Sequence, residues 1–462
     1  MNYAIGNYID NHLSEMVSVL SRLVSVPSVR EEPAPDAPYG KPCARVLDTM
    51  LDIAKDFGFT VENQGNRVGT IDLYPAIPPT LGVLCHLDVV PAGDGWKTPP
   101  YTLYMNDGKL FGRGASDDKG PAVCVLYALK AIRECKIPLS KNVRFIVGTD
   151  EENGSSDLSW YKSKFKLPPY VFTPDARYPV INIEKGMIRG AISTKCQSAS
   201  GKTILSASGG TVINAVPDKA TATVRGFSSD ELSAAAKSTS DPDMFSFKAA
   251  GDETVCTVTG KSAHASGPSG GKNAVTALCD MLGKLHSDDD TSAMFASLSS
   301  LFPFGEYDGT SLEIKCSDRK SGSLTEVLSI LDFSDGTLTG KFDMRFPLCS
   351  SCVEIKQTLS SLFASKGFDL SEFNGVEPHE TDSESPFVRA LLSVFTNATG
   401  IKGECIAIGG GTYVHDVEGG VAFGAEFSDE DNHIHSANEY IRLSRFALNA
   451  KIIAEAILKI CK

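Results

Sequence analysis

The first part of the chain sets short continuous apolar runs against segments of helical period. "TLGVLCHL", "NVRFIVG" and "PPYVFT" are bounded by turn-forming residues and read as strands. Between them, "PAVCVLYALKAIREC" puts Ala122, Val125, Leu126, Leu129 and Ile132 on one helical face, with Pro121 in the first turn. Residues 9–25 and 42–57 also read as helices, and "GKLFG" as a short strand. Strands that are apolar throughout, separated by helices, predict an α/β domain whose mixed, mostly parallel sheet is covered by helices.

Past residue 184 the texture changes. "KATATVRGF", "ETVCTVTGKSAHASG" and "GTLTGKFDMRF" alternate as half-buried strands do, with "AVTALCDMLGKL" and "CVEIKQTLSSLF" as helices between them. This predicts a separate α+β domain over residues 185–384. After it, "SPFVRALLSVFTNATG" reads as a helix, "GVAFGAEF" as a strand and the segment from about 440 as a terminal helix. Residues 1–184 and 385–462 then form one domain, with the second inserted in it. Two domains suit a chain of 462 residues.

The acids and histidines collect where the apolar runs end. His86 and Asp88 follow "LGVLC", and Asp117 and Asp118 precede the helix beginning near Pro121. Asp150, Glu151 and Glu152 follow "VRFIVG", Asp175 follows "YVFT", and His433 and His435 come shortly after "VAFGAEF". The C-terminal ends of strands are the usual site position in an α/β sheet. Taken singly, each residue reads equally as a solvated loop acid or a helix cap, and Asp117 or Asp118 could cap the next helix. Gathered together, the carboxylates would repel one another unless a cation held them. Imidazoles with Asp and Glu suit Zn²⁺, Co²⁺ or Mn²⁺. More acids than one tetrahedral ion needs predict two ions about 3.5–4 Å apart with a bridging carboxylate.

Composition narrows the classes. Lys+Arg 44 against Asp+Glu 57 leaves a net charge of −13, which disfavours nucleic acid and anionic membrane as partners. No apolar run is long enough to cross a bilayer, and the first twenty residues lack a basic region ahead of an apolar one. The 12 cysteines have no framework spacing, so reduced thiols and a cytoplasmic location are expected. The single C-x-x-C, Cys349 to Cys352, has no second pair and no histidine nearby.

"HLDVVPAGDGW", "GRGASDDKGP", "GTDEENG", "TPDA", "GKSAHAS" and "HSANEYI" resemble, in order, the motifs of the M20 family of co-catalytic metallopeptidases. The resemblance runs from about residue 20 to about 442. Within the family, the long insert and "GGGTY" are most similar to the PepV-like dipeptidases. The resemblance implies a zinc-peptidase-like catalytic domain with an inserted lid. It implies His86 and Asp175 on one ion, Glu152 and His435 on the other, and Asp117 bridging. Asp88 would orient His86, and Glu151 would be the general base. His433 falls outside the motif and reads as a flanking polar residue. In the insert, His264, Asn214 and Arg345 match substrate-holding positions, although "DMRFP" departs from the family's more usual Asn-x-Arg-Tyr-Pro. The expected reaction is hydrolysis of dipeptides or very short peptides by a water activated between two divalent ions. N-acyl amino acids are the alternative substrate. A lid of this kind implies activity as a monomer.

Overall fold

The computed structural model describes residues 1–197 and 201–462. The chain forms two compact units: Met1–Ile183 with Glu380–Ile406 and Gly411–Lys462, and Glu184–His379 with Ala407–Gly410.

The first unit is built on a mixed sheet. Among the described residues its nine strands include β1 (Thr60–Gln64), β2 (Val68–Asp72), β3 (Pro79–His86), β4 (Asn142–Gly148), β5 (Tyr170–Thr173) and β6 (Val180–Glu184), with a two-residue strand Val421–Ala422. The order is β1-β2-β4-β3-β5, then Val421–Ala422, then β6. β3 runs parallel to both β4 and β5, while β1 and β2 form an antiparallel edge. The last six residues of β3 are buried, as expected of a strand covered on both faces.

Helices α1 (Tyr3–Asn11), α2 (Leu13–Val24), α3 (Lys41–Asp56) and α4 (Lys119–Glu134) accompany this sheet, together with the C-terminal helix Leu443–Cys461. α4 packs against α1, α2 and the C-terminal helix as well as the sheet, and is buried nearly all round. Truncating a side chain such as Leu126 to Ala there costs about 2–5 kcal/mol by cavity formation. Two readings are corrected. The helix expected over 9–25 is two helices joined at His12, and the first begins at a side-chain cap from Asn2. The strand expected over "GVAFGAEF" is interrupted at Gly424, whose φ of 90° suits glycine, leaving the pieces Val421–Ala422 and Ala425–Glu426.

The second unit carries an eight-stranded antiparallel sheet. Its strands are β7 (Gly186–Lys195), β8 (Thr203–Gly209), β9 (Lys219–Arg225), β10 (Phe245–Ala250), β11 (Glu253–Thr259), β12 (Thr325–Ser334), β13 (Thr337–Phe346) and β14 (Asp369–Val376), in the order β10-β11-β9-β8-β12-β13-β7-β14. β9 buries Ala220, Ala222 and Val224 and turns the alternate residues outward, so one face bears the core. Helices Ala274–Leu282 and Cys352–Ser365 supply that core with residues such as Leu278 and Leu359. The first unit is therefore α/β and the second α+β. Among the described residues no helix is long and apolar enough to cross a membrane.

Candidate metal centre

The register of β3 and β4 brings two arms of the site together. His86 ends β3 opposite Gly148, which ends β4, and the Leu87 N–H donates to the Gly148 carbonyl at 2.9 Å. Asp88 and the 3₁₀ turn Glu151–Asn153 therefore leave the sheet side by side. The Asp88 carboxylate accepts from the backbone N–H of Glu151 and of Glu152, each at 3.1 Å. Its backbone carbonyl lies 3.0 Å from His86 Nδ1, with the carboxylate Oδ1 at 3.5 Å. A carbonyl only accepts, so Nδ1 carries a proton, which leaves Nε2 as the nitrogen that a cation would take.

Asp117 stands between two imidazoles. Its Oδ1 is 3.0 Å from His86 Nε2 and its Oδ2 is 2.9 Å from His435 Nε2. Glu152 Oε2 is 3.1 Å from His435 Nε2, while Asp175 Oδ2 and Glu151 Oε2 lie 3.6 Å and 3.9 Å from His86 Nε2. His86, Asp117 and Glu152 offer ligand atoms within 4.8 Å of one another, as do His86, Asp118 and Asp175. Asp118 also accepts the His86 backbone N–H at 3.0 Å, and the Cys85 thiol lies against its carboxylate. No side chain caps α4, so the capping alternative for Asp117 and Asp118 does not apply.

The electrostatics are those of a crowded anionic site. Burial pushes the carboxyls of Glu151, Glu152 and Asp175 upward, and the Asp117 charge adds to each. Hydrogen bonds to Asp117 and Glu152 carry the His435 imidazole up to about 10. Burial lowers His86, but Asp175, Asp117 and Asp88 outweigh it and hold it well above the usual range. Without a cation these groups must share protons to coexist. Divalent cations fit the donor set, because the two oxygens of Asp117 divide between two imidazoles that each have another carboxylate within reach.

Three sequence-predicted residues lie in the second unit. His264 ends a two-residue strand paired with Ala215–Val216 and contacts Ser266 Oγ through Nδ1 at 2.7 Å. The Asn214 carbonyl accepts from the Ala265 N–H at 2.9 Å. Arg345, on β13, is almost fully buried. Its Nε and Nη2 donate to Asp343 at 2.5 Å and 3.0 Å, and its Nη1 donates to the Gly409 carbonyl at 2.8 Å. His433 is exposed, with its ring against Tyr440, outside the cluster. Cys349 and Cys352 are free thiols with different neighbours, Cys316 for the first and Glu377 for the second.

Residues 82–459 match the family model for peptidase family M20/M25/M40. The chain belongs to this family. It is 32% identical to "Putative dipeptidase YtjP" of Bacillus subtilis strain 168, over 97% of each chain. It is 31% identical to "Putative dipeptidase SH1171" of Staphylococcus haemolyticus, over 98% of each. Human carnosine dipeptidase 1 has a similar fold, with a TM-score of 0.60 at 18% identity over 99% of this chain and 98% of that one.

In this M20 peptidase several residues around the cluster carried no signal of their own in the sequence. Asp157 is buried, and its Oδ2 accepts from the N–H groups of Thr149 and Asp150 and from the Tyr413 hydroxyl. It thereby holds the end of β4 from which Glu151 departs. Lys119 is buried and donates to the carbonyls of Leu23 and Val26, at the end of α2. Glu439 is buried among backbone donors of the loop that carries Asp117. "HSANEYI" contained Glu439, but an acid in a turn has no periodicity to betray what it faces.

Proposed function

We propose that this M20 peptidase is a dipeptidase that works through two divalent ions, Zn²⁺ or in its place Mn²⁺ or Co²⁺. The observation that carries the reading is the division of the Asp117 carboxylate between His86 and His435. In this reading His86 and Asp175 hold one ion, Glu152 and His435 hold the other, and Asp117 serves both. When bound, such ions lower the pKa of water and polarise an amide carbonyl. Asp88 fixes the His86 ring and the turn bearing Glu151. Glu151 takes a proton from the attacking water and delivers it to the leaving amine. His264 stabilises the carbonyl oxygen as charge develops on it. Asn214 and Arg345 hold the substrate. Of the five N–H donors of Arg345, three are engaged by Asp343 and Gly409, which leaves two for a free α-carboxylate.

The names of the relatives favour a dipeptide over an N-acyl amino acid. The test is metal-free protein reconstituted with Zn²⁺, Mn²⁺ or Co²⁺ and offered dipeptides, tripeptides and N-acetyl amino acids. Dipeptide cleavage that requires added metal is expected. Turnover of N-acetyl amino acids with none of dipeptides would replace the reading with a deacylase, and equal activity after metal removal would end it.

A further inference from the structure

We propose that Glu439 is a positioning residue that sets the bridging carboxylate of Asp117 against His435 and thereby tunes the affinity of the centre for its second ion. The inference rests on the two-ion reading above.

Glu439 is fully buried, and four donors converge on its carboxylate. Oε1 accepts from the N–H of Ser116 at 2.8 Å and of Asp117 at 3.1 Å. Oε2 accepts from the Gly114 N–H at 3.1 Å and from Arg113 Nη1 at 2.7 Å. These residues form the loop that ends in Asp117, so one carboxylate fixes the backbone on which the bridging ligand is mounted. The Gly112 N–H donates to the Glu439 carbonyl at 3.0 Å, and the pairing of Phe111 with Tyr440 continues that contact into a short ladder.

His435 lies four residues before Glu439, so a single segment supplies both an imidazole and the clamp. Asn432 Nδ2 donates to Ser116 Oγ at 2.8 Å, and the Tyr440 N–H donates to the Asn432 carbonyl at 3.1 Å, which closes the segment on itself. His435 and Asn438 take φ values of 58° and 65°, left-handed backbone that costs a non-glycine residue about 1–3 kcal/mol and persists only where its surroundings impose it. Asn438 Oδ1 accepts the Lys97 N–H at 2.8 Å, and Arg113 Nη2 reaches the carbonyls of Pro91 and Ala92. The loop after His86, the loop before α4 and the His435 segment are thus fastened at Glu439 and its neighbours. The contact they set is Asp117 Oδ2 to His435 Nε2, at 2.9 Å.

A merely structural buried carboxylate and a positioning one differ in what their loss does to metal. Glu439→Gln keeps the shape but turns an NH₂ group toward N–H donors. Partners of this kind change metal affinity by roughly 10–100-fold. The experiment titrates metal-free wild type and Glu439→Gln with Zn²⁺ against a chromophoric chelator, with far-ultraviolet circular dichroism to establish folding. Wild type is expected to bind two equivalents. Glu439→Gln is expected to bind one of them about 10–100-fold more weakly, with hydrolysis restored by excess Zn²⁺. Unchanged Zn²⁺ affinity with only a lower thermal midpoint would overturn the proposal. Should Glu439→Gln not fold, Asn432→Ala removes only the tie to Ser116. It is expected to weaken the same equivalent by a few-fold, and unchanged affinity there overturns the proposal too. A wild type that takes up no Zn²⁺ would remove the two-ion reading itself.

Discussion

Glu151 and Asp117 are both carboxylates beside His86, but they face it differently. Asp117 meets Nε2 at 3.0 Å, whereas Glu151 stands back at 3.9 Å on a turn held by Asp88. In the proposed reading Glu151 is the general base and not a ligand. Glu151→Gln is therefore expected to keep metal content near wild type while hydrolysis falls by roughly 10²–10⁴-fold, the span of a general base. Elemental analysis beside kinetics checks this, and activity above about a tenth of wild type would remove the assignment. Lys119 gives a pH signature of another kind. Burial, opposed by the Glu439 charge, pushes its amine from the ordinary 10.5 down to about 7. Between those values the unfolded chain binds a proton there that the folded chain does not, so stability rises with pH across that window and the full penalty applies below it. The raised His86 and His435 imidazoles of the metal-free protein pull stability down over the same window in any variant that keeps them, so Lys119 is read as a difference: from pH 7 to pH 9, urea unfolding should give wild type a more positive change in stability than Lys119→Met.

At the scale of elements, the site depends on how β4 ends. Gly148 leaves no room for a side chain, because a Cβ there would come within 1.7 Å of the Tyr413 hydroxyl and 2.3 Å of Asp157 Oδ2. Gly148→Ala must displace Tyr413 from Asp157, and overpacking of this kind costs about 1–3 kcal/mol. The turn bearing Glu151 follows directly, so kcat should fall along with the thermal midpoint. Tyr413→Phe removes the hydroxyl that the new methyl would strike, so the double variant should lose less stability than the two single losses added together. Additive losses would mean that the methyl is accommodated elsewhere. The same region shows what could be read from sequence. β3, β4 and β5 are largely apolar runs, and the histidine and acids were visible because β3 ends at His86 while Asp150 and Asp175 come two residues after β4 and β5. Asp157, Tyr413 and Glu439 were not, since their partners lie far off in sequence and a buried acceptor of backbone N–H groups looks like any loop acid. The two-helix start, by contrast, has a local signal, since Asn2 is an N-cap whose side chain accepts from the N–H groups of Ala4 and Ile5.

At the scale of the whole molecule, the open matter is whether one chain suffices. The residues proposed for the reaction come from both units: His86, Asp117, Glu151, Glu152, Asp175 and His435 from the first, and Asn214, His264 and Arg345 from the second. The net charge of −13 opposes close approach of a second copy at low ionic strength, which favours a chain that works alone. The expectation is activity as a monomer, with each His264 serving the Glu151 of its own chain. Mixing His264→Ala with Glu151→Gln separates the cases. If sites were shared across two subunits, a heterodimer of the two variants would own one site with both residues intact, and activity would return toward a fraction of wild type. If each chain serves itself, every chain in the mixture lacks one of the two groups, and the mixture should be no more active than its components averaged. The mixture is best assayed after incubation long enough for subunit exchange, with light scattering on the same samples. Recovered activity, or a dimer by scattering whose dissociation on dilution abolishes turnover, would move His264 from a residue serving its own chain to one supplied by a partner.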